Sequence, residues 1–144
     1  MIPEFTDDGV LPAGIHAATL EQFQERFAIF HQSDQRIRVF KKLRALIDEA
    51  GKSGIVQRIY VAGSFVTDKP EPNDFDCLLV LDSAIVGQTL RPSQYNLISR
   101  RMARRMFDGD VVPVLDGSQQ LREYLDFFQT TRDGERMGIV EIER

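Results

Sequence analysis

Apolar residues recur along the chain at two spacings, one typical of helices and the other of strands. The helical spacing predicts four helices, at residues 20–30, 34–50, 93–107 and 119–128. Short apolar runs predict strands at residues 55–62, 75–81 and 107–116, and a short terminal strand at 137–142. This mixture predicts an α/β (α+β) fold in which a small mixed sheet of three to four strands is flanked by helices.

These elements divide the chain into consecutive segments of a single domain, residues 1–144. Residues 1–18, interrupted by proline and glycine, are expected to form an irregular lead-in. Residues 19–50 hold the two N-terminal helices, 55–116 the core, and 119–144 the C-terminal helix and strand. Thr19 and Gln22 fit a capping box before the first helix, and Ser33 is the expected N-cap of the second.

Residues 61–81 carry the most informative chemistry. An apolar run ends at Gly63 and Ser64, a polar loop follows, and Asp74 and Asp76 open a second apolar run. Two carboxylates two residues apart on a strand share a face, where they repel each other unless a cation lies between them. Carboxylate oxygens suit Mg²⁺ or Mn²⁺, while the glycine permits close backbone approach and the serine offers a hydroxyl to a phosphate. The stretch therefore predicts a dicarboxylate metal site beside an anion-binding turn, as phosphoryl or nucleotidyl transfer requires.

An ordinary turn is the alternative interpretation of this loop. Asp74 alone would fit it, because a carboxylate at the start of a strand can accept hydrogen bonds from loop N–H groups. Asp76 fits it poorly, since it lies within the apolar run and an ionised side chain there needs a partner or a metal. We therefore favour metal binding for the pair. Lys69, within the loop, is either a contact to a triphosphate or an exposed loop lysine.

The same residues resemble the polymerase-beta-like nucleotidyltransferase superfamily. Its signature is a hydrophobic residue and Gly-Ser, a spacer, and then Asp-hydrophobic-Asp-hydrophobic, places filled here by Ala62-Gly63-Ser64 and Asp74-Phe75-Asp76-Cys77. The short chain is similar to the minimal bacterial nucleotidyltransferases, many of which pair with a toxin or antitoxin partner. Leu-Pro-x-Gly-Ile-His near the start and Phe-Phe-Gln-x-x-Arg-Asp-Gly near the end resemble a poorly characterised bacterial family of that superfamily.

The resemblance implies a nucleotidyltransferase-like fold with residues 55–116 as its catalytic core. It implies an enzyme that uses Mg²⁺ or Mn²⁺ to move a nucleoside monophosphate from a nucleoside triphosphate to an acceptor hydroxyl, within a toxin–antitoxin or defence module. RNA, a partner protein and a small molecule are all open as the acceptor. Because the sequence shows no evident substrate domain beyond the core, we expect a macromolecular acceptor, a partner protein or RNA. The predicted nucleotide-binding residues are Gly63 and Ser64 of the signature, together with Lys69 from its place in the loop.

The superfamily also places a third carboxylate on a neighbouring strand. Asp110 and Asp116 share parity on the predicted third strand, and Asp108 is a weaker candidate. We choose Asp110, because Asp116 and the glycine after it look like a turn that leaves the strand. The predicted catalytic and metal-binding residues are therefore Asp74, Asp76 and Asp110.

Composition and charge narrow the class of protein. A net charge of −4 argues against a protein that coats nucleic acid nonspecifically. The single cysteine, Cys77, forms neither an internal disulfide nor a cysteine zinc cluster, and it is expected to be buried. No apolar run approaches membrane-spanning length and the start lacks the pattern of a signal peptide, so we expect a cytoplasmic protein with no membrane partner.

The helix predicted at residues 93–107 offers a candidate surface for partners. Its expected core stripe is Tyr95, Ile98, Met102 and Met106, and four arginines lie on a roughly opposite arc: Arg100, Arg101, Arg104 and Arg105. They could bind an RNA backbone, a triphosphate or an acidic partner protein, or simply be solvated. The alternative function is accordingly a non-catalytic, antitoxin-like binding module that docks a partner. The charged residues of the second helix, Arg36 among them, are expected to be a solvated surface.

Overall fold

A five-stranded mixed sheet forms the centre of the computed structural model, which describes residues 2–144. The strands are β1 (Gly14–Thr19), β2 (Val56–Ala62), β3 (Asp76–Leu81), β4 (Asp110–Leu115) and β5 (Gly138–Glu143). Their order across the sheet is β1-β5-β2-β3-β4. β1 runs parallel to β5 and β3 parallel to β4, whereas β2 is antiparallel to both of its neighbours. The mixed α/β (α+β) class is confirmed, but the sheet has five strands rather than three to four.

The additional strand is β1, which lies at one edge of the sheet. The expectation of an irregular segment through residue 18 is therefore wrong from residue 14 onward. β1 pairs along its full length with β5, from the other end of the chain. Glycine and proline content reports only local backbone preference, so it cannot reveal a pairing partner that is so distant in sequence.

In the described residues five α-helices accompany the sheet: α1 (Leu20–Phe23), α2 (Asp34–Ser53), α3 (Pro92–Ile98), α4 (Arg100–Phe107) and α5 (Gln119–Phe128). The predicted capping box before α1 is confirmed, with reciprocal bonds between Thr19 and Gln22 of 3.0 and 3.1 Å. The predicted N-cap of α2 is also confirmed, since the Ser33 hydroxyl accepts from the N–H of Arg36 at 3.2 Å. Within residues 2–144 we find no helix with the length and apolar character needed to cross a bilayer.

Two predicted helices are interrupted. The first passes after α1 into a π-helical turn (Gln24–Ala28) and then a 3₁₀ turn (Phe30–Gln32). The third breaks at Ser99, which is extended and caps α4 through its hydroxyl. Tyr95 and Met106 of the predicted core stripe are 59% and 43% exposed. The buried residues of α3 and α4 are instead Gln94, Leu97, Ala103 and Phe107. A single extended residue leaves no mark in the apolar periodicity of the surrounding sequence.

Hydrophobic side chains fill both faces of the sheet. On β3, Cys77 and Leu79 pack into a large core with α1–α4, whereas Leu78 and Val80 pack into a smaller core beneath α5. β3 is therefore covered on both sides, and the prediction that its cysteine is buried is confirmed. β4 is the opposite edge strand, which accommodates Pro113 because a residue without an N–H group is tolerated there.

Candidate functional site

A cleft of about 740 Å³ opens at one edge of the sheet, where β3 and β4 begin and β2 ends. Asp76 and Asp110 point to the same face of the sheet as the residues of the smaller core beneath α5. All six site residues predicted from the sequence line the cleft: Gly63, Ser64, Lys69, Asp74, Asp76 and Asp110. The structure thus brings the predicted residues together in one space.

Strand register sets two of the three carboxylates side by side. Asp76 and Asp110 are the first residues of β3 and β4, and they are direct partners in the parallel pairing. Neighbouring strands lie about 4.8 Å apart, so both side chains leave the sheet close together and on the same face. Asp74 precedes β3 by two residues and lines the same cleft. The aspartate chosen from the sequence as the third carboxylate is therefore adjacent to the first two.

The two other candidates for the third carboxylate lie outside the cleft. Asp116 follows the far end of β4 and forms an ion pair with Arg58. Asp108 ends α4 in a left-handed conformation with φ of 55°. Neither lines the cleft that contains Asp110.

Burial and the neighbouring negative charges both raise the pKa of Asp76. Loss of solvent, followed by the charges of Asp74 and Asp110, raises the pKa of Asp76 to about 6, and the opposing charge of Arg104 lowers it less. Within residues 2–144 no hydrogen bond to the Asp76 carboxylate is found. A desolvated carboxylate flanked by two others is a group that gains strongly from an added cation.

Two arginines of α4 neutralise the other carboxylates. Arg104 Nη1 donates to Asp74 Oδ2 at 2.7 Å, and Arg100 Nη2 donates to Asp110 Oδ1 at 2.9 Å. These hydrogen bonds are the main reason that the pKa of each arginine is raised. The four arginines of the predicted surface therefore fall into two groups. Arg100 and Arg104 bind carboxylates of the site, whereas Arg101 and Arg105 are exposed and form no ion pair within residues 2–144.

The arginines also decide how well the site fits a divalent cation. Three carboxylates lining one cleft form a donor set that suits Mg²⁺ or Mn²⁺. As they stand, however, no three Asp, Glu, His or Cys side chains within residues 2–144 form a group that could hold a metal ion. Asp74 and Asp110 bind arginines instead. The donors are of the right type, but a cation shared by all three would require Arg100 and Arg104 to move.

The glycine of the Gly-Ser turn is required by Asp76. Gly63 has φ of +79°, and a Cβ atom built on it would clash with Asp76 Oδ2. The Asp76 carboxylate thus packs directly against the backbone of the turn. The sequence suggests that this glycine admits a phosphate, and the structure adds that it also makes room for the central carboxylate.

We expect Gly63→Ala to lower the free energy of unfolding by more than backbone strain alone would, because the new methyl group would also displace Asp76. Gly117→Ala is the matched control, since Gly117 has a similar φ of +74° but an added Cβ there would meet nothing within 4 Å. The control should lose only the strain of a left-handed alanine, about 1–2 kcal/mol in the free energy of unfolding. Urea titrations that show equal losses for both variants would contradict the close packing of Gly63 against Asp76.

Arg36 supports the site from within the protein, a role that its charge does not indicate. Instead of lying on a solvated surface, as expected, it is fully buried. Its guanidinium donates five hydrogen bonds to backbone carbonyls: to Phe27 (2.9 Å), Phe65 (2.9 Å), Thr67 (2.7 Å) and twice to Lys69 (2.6 and 3.1 Å). Burial lowers its pKa to about 10, so the side chain remains charged at neutral pH. Arg36 therefore holds the segment of residues 65–69 against α2 through hydrogen bonds.

A sequence signal for this burial exists. Arg36 lies three, four and seven residues before Val39, Phe40 and Leu43, so it falls on the apolar stripe of α2. A charged residue at such a position is expected to be buried and fully hydrogen-bonded. The hydrogen bonds fix the carbonyl of Lys69, whose exposed side chain lines the cleft.

The end of α5 and the segment between α5 and β5 form another part of the cleft wall. The lining residues there are Phe127, Phe128, Thr130, Thr131, Arg132 and Met137. A turn lies within this segment, since Gly134 N–H donates to Thr131 O at 3.0 Å. Arg132 belongs to this turn and lines the cleft.

Comparison with known proteins identifies a family but no function. The model of DUF6932, a family of unknown function, matches residues 3–143, so the chain belongs to this family. No curated protein and no solved structure matches the chain.

Proposed function

We propose that this member of DUF6932 is a metal-dependent nucleotidyltransferase with a nucleotidyltransferase-like fold. It would move a nucleoside monophosphate from a nucleoside triphosphate to a hydroxyl of a macromolecular acceptor, a partner protein or RNA, within a toxin–antitoxin or defence module. One observation supports this most strongly: Asp74, Asp76 and Asp110 line a single cleft together with Gly63 and Ser64. Carboxylates beside an anion-binding turn are what transfer from a triphosphate requires.

Each residue of the cleft has a role in this proposal. Asp74 and Asp76 would hold Mg²⁺ or Mn²⁺, which when bound neutralises charge on the triphosphate. The backbone of Gly63, the hydroxyl of Ser64 and the ammonium of Lys69 would contact phosphate oxygens. Asp110 would help to hold a second metal ion, or would accept the proton of the acceptor hydroxyl as the hydroxyl oxygen bonds to the α-phosphorus and pyrophosphate leaves.

The arginine ion pairs oppose this arrangement only weakly. Arg100 and Arg104 are 53% and 47% exposed in their side chains, and their aspartate partners are about one-third exposed. Half-exposed ion pairs contribute roughly 0–1 kcal/mol each. A metal–triphosphate complex that bound with micromolar affinity would supply about 8 kcal/mol, which exceeds the loss of both pairs. The ligand can therefore displace the two arginines at small cost.

The exposed arginines of α4 favour a macromolecular acceptor. Arg101 and Arg105 lie one residue beyond the arginines that reach the site, and their guanidinium groups are open to solvent. Such groups suit phosphates of an RNA backbone or carboxylates of an acidic partner. An acceptor bound there would lie near the mouth of the cleft.

Transfer of label from α-³²P nucleoside triphosphates provides the test. The purified protein is incubated with each of the four triphosphates, Mg²⁺ or Mn²⁺, and the RNA or protein fraction of a bacterial extract. We expect label in one acceptor fraction and its loss when EDTA is added. Absence of EDTA-sensitive label with all four triphosphates and both fractions would contradict the proposed activity.

A non-catalytic binding module is the second candidate function. It is favoured by the ion pairs themselves, since Arg100 and Arg104 already neutralise two of the three carboxylates. In such a module the arginine-bearing face of α4 would dock a partner protein. Nucleotide binding measured by calorimetry distinguishes the two: binding that EDTA abolishes supports the enzyme. No nucleotide binding, together with stable co-purification of a partner, supports the module.

A further inference from the structure

An exposed aromatic ring lines the same cleft as the carboxylates. Phe127, in the last turn of α5, is 67% exposed and lines the cleft. Its ring meets that of Phe128 edge-on at 5.5 Å, and Phe128 stacks on Tyr124 at 6.0 Å. Phe128 and Tyr124 pack against the core beneath α5. The ring of Phe127 is therefore supported from behind while most of its surface remains open.

Hydrogen bonds fix the chain that continues this wall. Arg136 Nη1 donates to Asp126 Oδ1 at 2.8 Å and to Thr130 Oγ1 at 3.0 Å, which ties the turn to the end of α5. Residues 130 and 136 also form a β-bridge, and Met137 N–H donates to Gln129 O at 2.9 Å. The wall is thus a preformed surface, and a ligand that contacts it loses little entropy in ordering it.

The two walls of the cleft differ in chemistry. Gly63, Ser64 and Lys69 present a backbone turn, a hydroxyl and an ammonium, which suit phosphate groups. The wall at Phe127 presents an aromatic face, which suits a flat ring. We propose that Phe127 is the stacking surface for the base of the nucleotide, an inference that rests on the proposed function. The base would lie on this ring while the triphosphate extends toward Gly63 and Asp76.

Stacking also indicates the class of base that is accepted. Every nucleobase offers a π face, so an aromatic platform binds all four bases and favours the larger purines. The predicted ligand is therefore a purine nucleoside triphosphate, with pyrimidine triphosphates bound less tightly.

The test compares two probes, ATP and inorganic tripolyphosphate, each with Mg²⁺, in calorimetric titrations of the full chain. Phe127→Ala removes the ring, and Phe127→Tyr preserves it. Tyr95→Ala is the matched control, because Tyr95 is a similarly exposed aromatic residue (59%) that does not line the cleft. We expect Phe127→Ala to bind ATP about tenfold more weakly and tripolyphosphate unchanged, while the other two variants bind ATP as the parent does.

The outcomes separate this inference from the proposed function. Parental affinity of Phe127→Ala for ATP would overturn the stacking role but leave the proposed function standing, provided that Mg²⁺-dependent binding is seen. An equal loss for both probes would also overturn it, because the ring would then matter to the phosphate end of the site. Failure of the parent protein to bind either probe would overturn the proposed function, and the inference with it.

Discussion

Replacement of Asp76 by asparagine is expected to lower nucleotidyl transfer by about a hundred- to a thousandfold, as loss of one preorganised electrostatic contact does elsewhere. Asp76 is the central carboxylate of the site, adjacent to Asp110 in the sheet and packed against Gly63. Asparagine preserves its shape but removes the charge that a cation needs. The rate of label transfer from α-³²P nucleoside triphosphate measures the effect, and Asp74→Ala should behave similarly.

Asp116→Asn is the matched control for this variant. Asp116 lies beyond the opposite end of β4 and pairs with Arg58 outside the cleft. We expect its replacement to leave transfer unchanged. Transfer at the parental rate in both Asp76→Asn and Asp74→Ala would eliminate the proposed mechanism.

The same Asp76→Asn variant should be more stable than the parent at alkaline pH. The pKa of Asp76 is raised from 3.8 to about 6 by burial and by its acidic neighbours, so the folded protein binds this proton more tightly than the unfolded chain. Stability from this group is therefore present below about pH 4 and is lost as the pH rises through 6. Urea titrations should show the variant gaining stability over the parent at about pH 8, with little difference at about pH 4. A constant difference across this range would contradict the raised pKa.

Arg36→Met is expected to lower the free energy of unfolding by about 3–5 kcal/mol, the largest effect on stability that we predict. The change removes five hydrogen bonds and leaves the carbonyls of Phe27, Phe65, Thr67 and Lys69 without their donor. Buried carbonyls without a partner are costly, whereas the methionine fills much of the same apolar space. Urea unfolding, followed by circular dichroism, measures the loss.

Two further variants make the result interpretable. Arg38→Met changes an exposed neighbour on α2 and should shift stability by less than about 0.5 kcal/mol. Arg36→Lys keeps the charge but has fewer donors and no planar fork, so we expect an intermediate loss. If the methionine variant does not fold, the lysine variant still tests the role. A loss in Arg36→Lys no larger than that in Arg38→Met would contradict it.

The convergence of the carboxylates could be predicted from the sequence because it depends on local rules. Asp74 and Asp76 share a face through the two-residue period of an extended chain, and they stand at the start of an apolar run whose residues are apolar on both faces. The choice of Asp110 rests on the superfamily resemblance and on turn chemistry after Asp116. The structure places Asp110 in register with Asp76, which strand parity alone does not determine.

Other features depend on contacts between distant parts of the chain. β1 forms through its pairing with β5, and the ion pairs of Arg100 and Arg104 depend on where α4 packs against β4. The break at Ser99 changes which side chains of α3 and α4 face inward, and periodicity cannot locate it. The burial of Arg36, in contrast, could have been predicted, because the residue lies on the apolar stripe of α2. The charged residues around it instead led to the prediction of a solvated surface.

The most direct test of metal binding by these carboxylates is a crystal structure with Mn²⁺ and a non-hydrolysable nucleoside triphosphate, in which anomalous scattering locates the metal. We expect an anomalous peak within about 2.0–2.3 Å of oxygens of Asp74 and Asp76, with Arg104 moved away from Asp74. An Mn²⁺-soaked crystal without such a peak, in which Arg104–Asp74 and Arg100–Asp110 remain paired, would contradict the claim that these carboxylates gather a divalent cation.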